Sequence, residues 1–441
     1  MALCCKELAM ALESRKENNV VSALAQSVTL PKMVKVRQLF DPDHINKGSI
    51  PAIVHKEMSR PVFAKGINRG DTVAITCGSR GVANIAVITK AIVDFVKSRG
   101  ALPFVFPAMG SHGGATAEGQ LAILTGCGVT EEFLGCEIRA AMDAEQIGVS
   151  SEGIPVYADH YALASDAIIL CGRIKAHTAF RGPYESGLYK MAVIGMGKQR
   201  GAEKVHECGF GPLGQLLPGL AKAVFDNTKI IGGIGLVENA FDQTFKIRAL
   251  TPAEITQEEP SLLEEAKNKM GQLFLDRLDV LVVDRIGKDI SGDGMDPNVT
   301  GRFAVDSVKS GRAIQRIAVL DLTEETHGNC NGIGLADVTT KRLVDKVDVD
   351  VTYPNVVTST VTCTPRIPLF THTDEQCIKI ALRTCNDIDR DNPRIVRIRD
   401  TMSLETIWVS EALLDEVKRH PNMELLGEAV DWPFNERGNL W

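Results

Sequence analysis

Residues 71–116 read DTVAITCGSRGVANIAVITKAIVDFVKSRGALPFVFPAMGSHGGAT, an apolar run, a glycine turn, a helical period, a second apolar run and a second glycine turn. Residues 72–77 form a short apolar, β-rich run, as expected of a strand covered on both faces. Ile85, Ile88, Ile92 and Phe95 follow at helical spacing, Gly100 closes the helix, and 102–106 is a second buried strand. Strand, helix and strand in this order form a β-α-β unit, which requires parallel strands joined by a right-handed crossover. The pattern resumes at 166–177 and 229–239, so residues 1–260 are expected to form an N-terminal catalytic domain. Residues 251–274 begin with an acidic stretch holding two prolines and are expected to serve as a hinge. Residues 275–441 then form a second α/β domain, with strands near 278–284, 316–321 and 394–399 and helices near 374–385 and 410–419. The expected fold class is therefore α/β: two domains with mainly parallel sheets and an active-site cleft between them.

Charge and composition narrow the function. A net charge of -7, with only 5% aromatic residues, leaves neither a basic stripe nor stacking platforms for nucleic acid. No window approaches the apolar length of a bilayer span. The eleven cysteines are odd in number, scattered and without a C-x-x-C pair, which fits a reducing cytoplasm and no zinc ribbon. The first nineteen residues read as a short amphipathic helix and not a signal peptide. The expectation is a cytoplasmic protein acting on a small molecule, with neither nucleic acid nor membrane as partner and with an oligomer open.

In open α/β sheets ligands gather beyond the carboxyl ends of the strands. Gly78-Ser79-Arg80-Gly81 follows the first strand and Gly110-Ser111-His112-Gly113-Gly114 the second. Lys175-Ala176-His177 follows the third, and Lys288-Asp289 the first strand of the second domain. Gly78–Gly81 at a helix start is an anion nest or a plain turn. His112 and His177 are turn histidines that alone have an ordinary structural reading, but facing one cleft they suit acid–base work near neutral pH. Lys190 heads the apolar Met191-Ala192-Val193-Ile194, where a lysine either snorkels to water or is a desolvated nucleophile. His206 lies sixteen residues on, without a histidine or cysteine at i±3 or i±4 to pair with. G-x-G-x-x-G is absent from the strand–helix turn, and "ISGDGMDPN" lacks the spacing of a calcium loop.

Three blocks in order, "CGSRG", "GSHGGAT" and "KAHTAFRGPYESGLYKMAVIGMGKQRGAEKVH", resemble the nickel-pincer lactate racemases and their relatives among nickel-pincer-dependent isomerases. The resemblance covers about 70–240 well and the second domain loosely. It implies that Lys190 carries a pyridinium-derived mononucleotide through a thioamide, with Gly78, Ser79 and Arg80 helping to hold it. It implies that His206 completes the coordination of nickel, whose other ligands come from that cofactor. It also implies that His112 and His177 act as a pair of bases on opposite faces of a 2-hydroxy acid or sugar acid, whose α-hydrogen leaves and returns as hydride. The implied activity is racemisation or epimerisation, and cofactor-synthesis proteins are expected to be needed for maturation.

Departures from the family pattern limit this reading to a divergent member. Cys77 stands for the aspartate of the arginine turn and Gly81 for its proline. The second-domain turn Met295-Asp296-Pro297-Asn298 lacks the family's glutamine and lysine, so Arg80, Lys288 and Arg302 are the candidate partners of the substrate carboxylate. A different hydroxy acid from lactate is expected. Two alternatives stay open at this point: an NAD(P)-dependent oxidoreductase of α/β fold, and a non-catalytic anion- or metal-binding homologue.

Overall fold

The computed structural model describes residues 20–79 and 81–441; the N-terminal segment and Arg80 lie outside them. Eight strands fall in the first part of the chain: β1 (Met33–Gln38), β2 (Thr72–Cys77), β3 (Leu102–Pro107), β4 (Ala144–Val149), β5 (Pro155–Asp159), β6 (Ala167–Arg173), β7 (Ile230–Glu238) and β8 (Thr244–Leu250). The second part holds β9 (Arg277–Ile286), β10 (Ala313–Leu322), β11 (Val338–Thr340), β12 (Leu369–Thr371), β13 (Ile395–Ile398), β14 (Thr406–Ser410) and β15 (Met423–Leu425).

The five-stranded sheet has the order β3-β2-β6-β7-β8, parallel except for β8. The eight-stranded sheet has the order β12-β11-β10-β9-β13-β14-β1-β15, parallel from β12 to β13 and antiparallel beyond. The protein is thus α/β with two mainly parallel sheets. Each sheet is covered on both faces, which is why its parallel strands read as unbroken apolar runs. Along β2, Val73 and Ile75 enter the core that holds Ile88, Ile92 and Phe95 of the helix Ile85–Ser98, while Ala74 enters the core of the opposite face.

Two segments behave differently from the sequence expectation. β1 joins the eight-stranded sheet, pairing antiparallel with β14 and β15, so the N-terminal part of the chain contributes to both sheets. Residues 252–269, expected as a hinge, are one helix, Pro252–Lys269, packed into the first core through Ile255, Leu262, Leu263 and Ala266. Pro252 and Glu254 have local reasons, while Pro260 lies inside the helix. Thr251 caps the helix and Glu254 returns the bond in a capping box, while Pro252 sits in the first turn, where its missing N–H costs nothing. No helix among the described residues is long and apolar enough to cross a membrane.

Candidate active site

The carboxyl ends of β2, β3, β6 and β9 open onto a cavity of ≈ 290 Å³ whose lining includes Gly78, Ser79, His112, His177, Lys190, His206 and Lys288. Seven candidates separated by up to 210 positions in the chain thus reach one space. The strand ends deliver the turns, and the segment 188–206 delivers the lysine and the distal histidine. A second cavity of ≈ 320 Å³ adjoins it, sharing Ser79, Arg173, Lys175 and Lys288.

Lys190 ends the short helix Leu188–Lys190, which continues as a π-helical turn over Met191–Gly195. Such turns insert an extra residue into a helix and gather at functional sites. The helix start is held from below by the fully buried Glu259, which accepts the Leu188 backbone N–H at 3.1 Å. A Cβ on Gly187 would collide with that carboxyl. Burial pushes Glu259 up to about 8. At the other end of the turn, a Cβ on Gly195 would meet the Ala108 carbonyl at 2.6 Å, so only glycine lets this segment lie against the His112 turn.

His177 is nearly buried beside Phe180, whose ring centroid is 4.2 Å away. Its Nδ1 accepts the backbone N–H of Ala179 at 3.0 Å, which fixes the proton of the neutral ring on Nε2. Nε2 lies 2.9 Å from Lys190 Nζ. With Nδ1 already an acceptor, this contact is a hydrogen bond only when Lys190 is an uncharged amine, the form of lysine that attacks electrophilic carbon. The His177 backbone is clamped as well: Glu185 accepts its N–H at 2.7 Å, Arg181 donates to its carbonyl at 2.6 Å, and Asn298, which follows β9 in the chain, reaches that carbonyl at 3.4 Å.

His206 closes the helix Lys198–His206. Its Nδ1 lies 3.3 Å from the Thr358 carbonyl on the helix Val349–Ser359. A carbonyl only accepts, so Nδ1 carries the proton and Nε2 offers a lone pair. Burial, and secondarily the charge of Lys190 when it is protonated, holds the ring down to about 4, well below an ordinary imidazole. Phe210 stands between the two histidines, 6.0 Å from the His177 ring and 5.3 Å from the His206 ring. His112 is oriented by the Ser79 hydroxyl on its Nδ1.

The remaining candidates divide. Lys288 lines both cavities, with its ammonium donating to the Gly292 carbonyl at 2.6 Å. Arg302 lines neither: it pairs with Asp337 and donates to the Leu335, Ile314 and Gln315 carbonyls, so its guanidinium is engaged beside the eight-stranded sheet and away from both cavities. Arg80 lies outside the described residues. Cys77, in place of an aspartate, is fully buried with its thiol pushed up to about 12 by burial, and adds no reactive group. Sequence reasoning missed Asn331, Asn355 and Thr358, which line the first cavity from the part of the chain that follows β10.

The donor chemistry tests whether a nickel-pincer group would fit. Among the described residues no three His, Cys, Asp or Glu side chains cluster to hold a metal ion. A metal held by His206 would need ligands beyond such a set of protein side chains. An amine positioned to be acylated, a neutral histidine with Nε2 as donor and a cavity joining them are compatible with such a group.

The fold and site define a class: a two-sheet α/β protein with a lysine and three histidines gathered at the strand ends. Among solved structures, it is similar to the lactate racemase apoprotein from Thermoanaerobacterium thermosaccharolyticum, with a TM-score of 0.51 at 12% identity, over 84% of this chain and 99% of that one. That likeness is one of fold. No family model and no curated protein matches the sequence.

Proposed function

We propose that this chain is a racemase or epimerase of a 2-hydroxy acid or sugar acid, working with a nickel-pincer nucleotide attached at Lys190. The observation that carries this reading is the convergence of Lys190, His112, His177 and His206 on one cavity. The group would be held by Lys190 as tether and by His206 Nε2 as the protein's ligand to nickel, with Gly78 and Ser79 beside it. When bound, it supplies a two-electron acceptor and donor for the α-hydrogen.

The chain's own residues then handle the proton and the substrate. His112 takes the C2 hydroxyl proton as the carbon becomes planar, and His177, which carries its proton on Nε2, is the one that gives a proton when the configuration is rebuilt. Ser79 fixes His112 for this, and Ala179, Glu185 and Arg181 fix His177. A ring oriented this way loses little freedom at the moment of transfer. Lys288 is the cation placed to meet the substrate carboxylate. The phenyl rings of Phe180 and Phe210 pack beside the His177 imidazole and give it an apolar flank. Proteins that synthesise and load the cofactor are the partners this reading requires.

The test is the mass of the Lys190 peptide and the nickel content of protein made in a host that synthesises the cofactor. A mass increase on Lys190 with one nickel per chain is expected. An unmodified Lys190 without nickel in that host overturns the reading.

A further inference from the structure

A buried ion pair that takes no direct part in this chemistry lies under the His112 turn. The side chains of Lys198 and Asp159 are fully buried, with Nζ and Oδ2 3.0 Å apart. Lys198 also donates to the carbonyl of Pro107, the last residue of β3, and lies 3.5 Å from Gln120 Oε1. Gln120, fully buried too, donates from Nε2 to the Gly110 carbonyl at 2.9 Å and the His112 carbonyl at 3.3 Å. The ammonium thus sits at the head of a chain of polar contacts that ends on the backbone of the turn bearing His112.

Two costs meet at Lys198. Its charge is removed from water, and burial lowers its pKa while Asp159 opposes that shift. Its backbone lies at φ +54°, a left-handed conformation that long side chains rarely adopt. A packed apolar pair would fill the same space without the cost of burying charge. Lys198 is also the first residue of the helix that ends at His206, so one side chain joins the base of that helix to the His112 turn.

We propose that Lys198 is a positioning residue, acting through Gln120 and the Pro107 carbonyl to fix the His112 turn against the helix bearing His206. It rests on the reading of His112 as a proton-transferring group only where turnover is measured.

The test replaces both charges at once, Lys198→Met with Asp159→Leu, so that no buried charge is orphaned. Thermal unfolding confirms the fold, and amide hydrogen exchange follows Gly110, His112, Ala115 and Thr116, whose N–H groups are bonded within this region. Exchange at these amides is expected to rise by about tenfold or more while amides of the eight-stranded sheet keep their rates. In loaded protein, kcat should fall by about tenfold or more with KM unchanged, as for a misplaced group that acts in the transition state. Unchanged exchange at the turn in the folded variant overturns the proposal and leaves a purely structural pair. Should the double variant fail to fold, Gln120→Met carries the same expectations with the ion pair intact. Faster exchange in protein that turns over no hydroxy acid, with or without the substitutions, supports the positioning role and removes the racemase reading instead.

Discussion

His177 and His206 face the same cavity and have opposite backbone partners. At His177 a backbone N–H points at Nδ1, so the ring keeps its proton on Nε2, toward Lys190. At His206 a backbone carbonyl faces Nδ1, so the proton is there and Nε2 holds a lone pair. One side chain is set up to carry a proton and the other to bind a metal, and the choice is made by the polarity of one main-chain group. Residue identity alone does not contain that distinction.

The contrast can be broken by exchange of phenotypes. His177→Ala should lower turnover by about 10²–10⁴-fold while nickel stays bound, measured by steady-state rates and metal analysis of the same sample. His206→Ala should reverse the pattern at the metal, with nickel retained at least about tenfold less tightly against a chelator. If both variants lose both properties equally, the division of labour is wrong. Ser79→Ala probes the third histidine, whose ring loses one orienting bond, and turnover should fall about three- to tenfold with metal content unchanged.

The smallest effect concerns stability. Glu259, under the Lys190 helix, titrates near 8 when folded and near 4.5 when unfolded. Between those values the unfolded chain has released a proton that the folded chain keeps, so stability falls as pH rises through this window and levels off above it. The contribution is at most about 1.4 kcal/mol per pH unit. Glu259→Gln, which still accepts from Leu188, should flatten the slope in denaturant titrations from pH 5 to 8. An unchanged slope would show that this carboxyl is ionised in the folded protein.

What the sequence made legible follows from locality. β2, β3, β6 and β9 announce themselves as apolar runs, and the residues after them could be read as site candidates because strand ends collect ligands. β1 could not be assigned, because its partners lie about 370 positions away and its alternating pattern fits an edge of either sheet. The helix Pro252–Lys269 was hidden by its own cap: a proline and an acid that signal a linker also start a helix, Pro260 stands inside it, and Glu259 interrupts the apolar face it belongs to. Lys288 and Arg302 were equivalent as sequence. Asp337 distinguishes them, since it holds Arg302 away from the cavities. Thr358 had no signal at all, because it acts through a main-chain carbonyl that every residue possesses.

The π-helical turn at Met191–Gly195 sets the angular relation between the two ends of the segment Lys190–His206. Each residue of a regular helix advances the chain by about 100°, so one residue more or fewer in this stretch swings the amine around the axis relative to the imidazole. The spacing between them is therefore a phase as well as a length. Deleting Ala192 or Val193, neither of which lines the cavity, would preserve its chemical groups and point its lysine somewhere else.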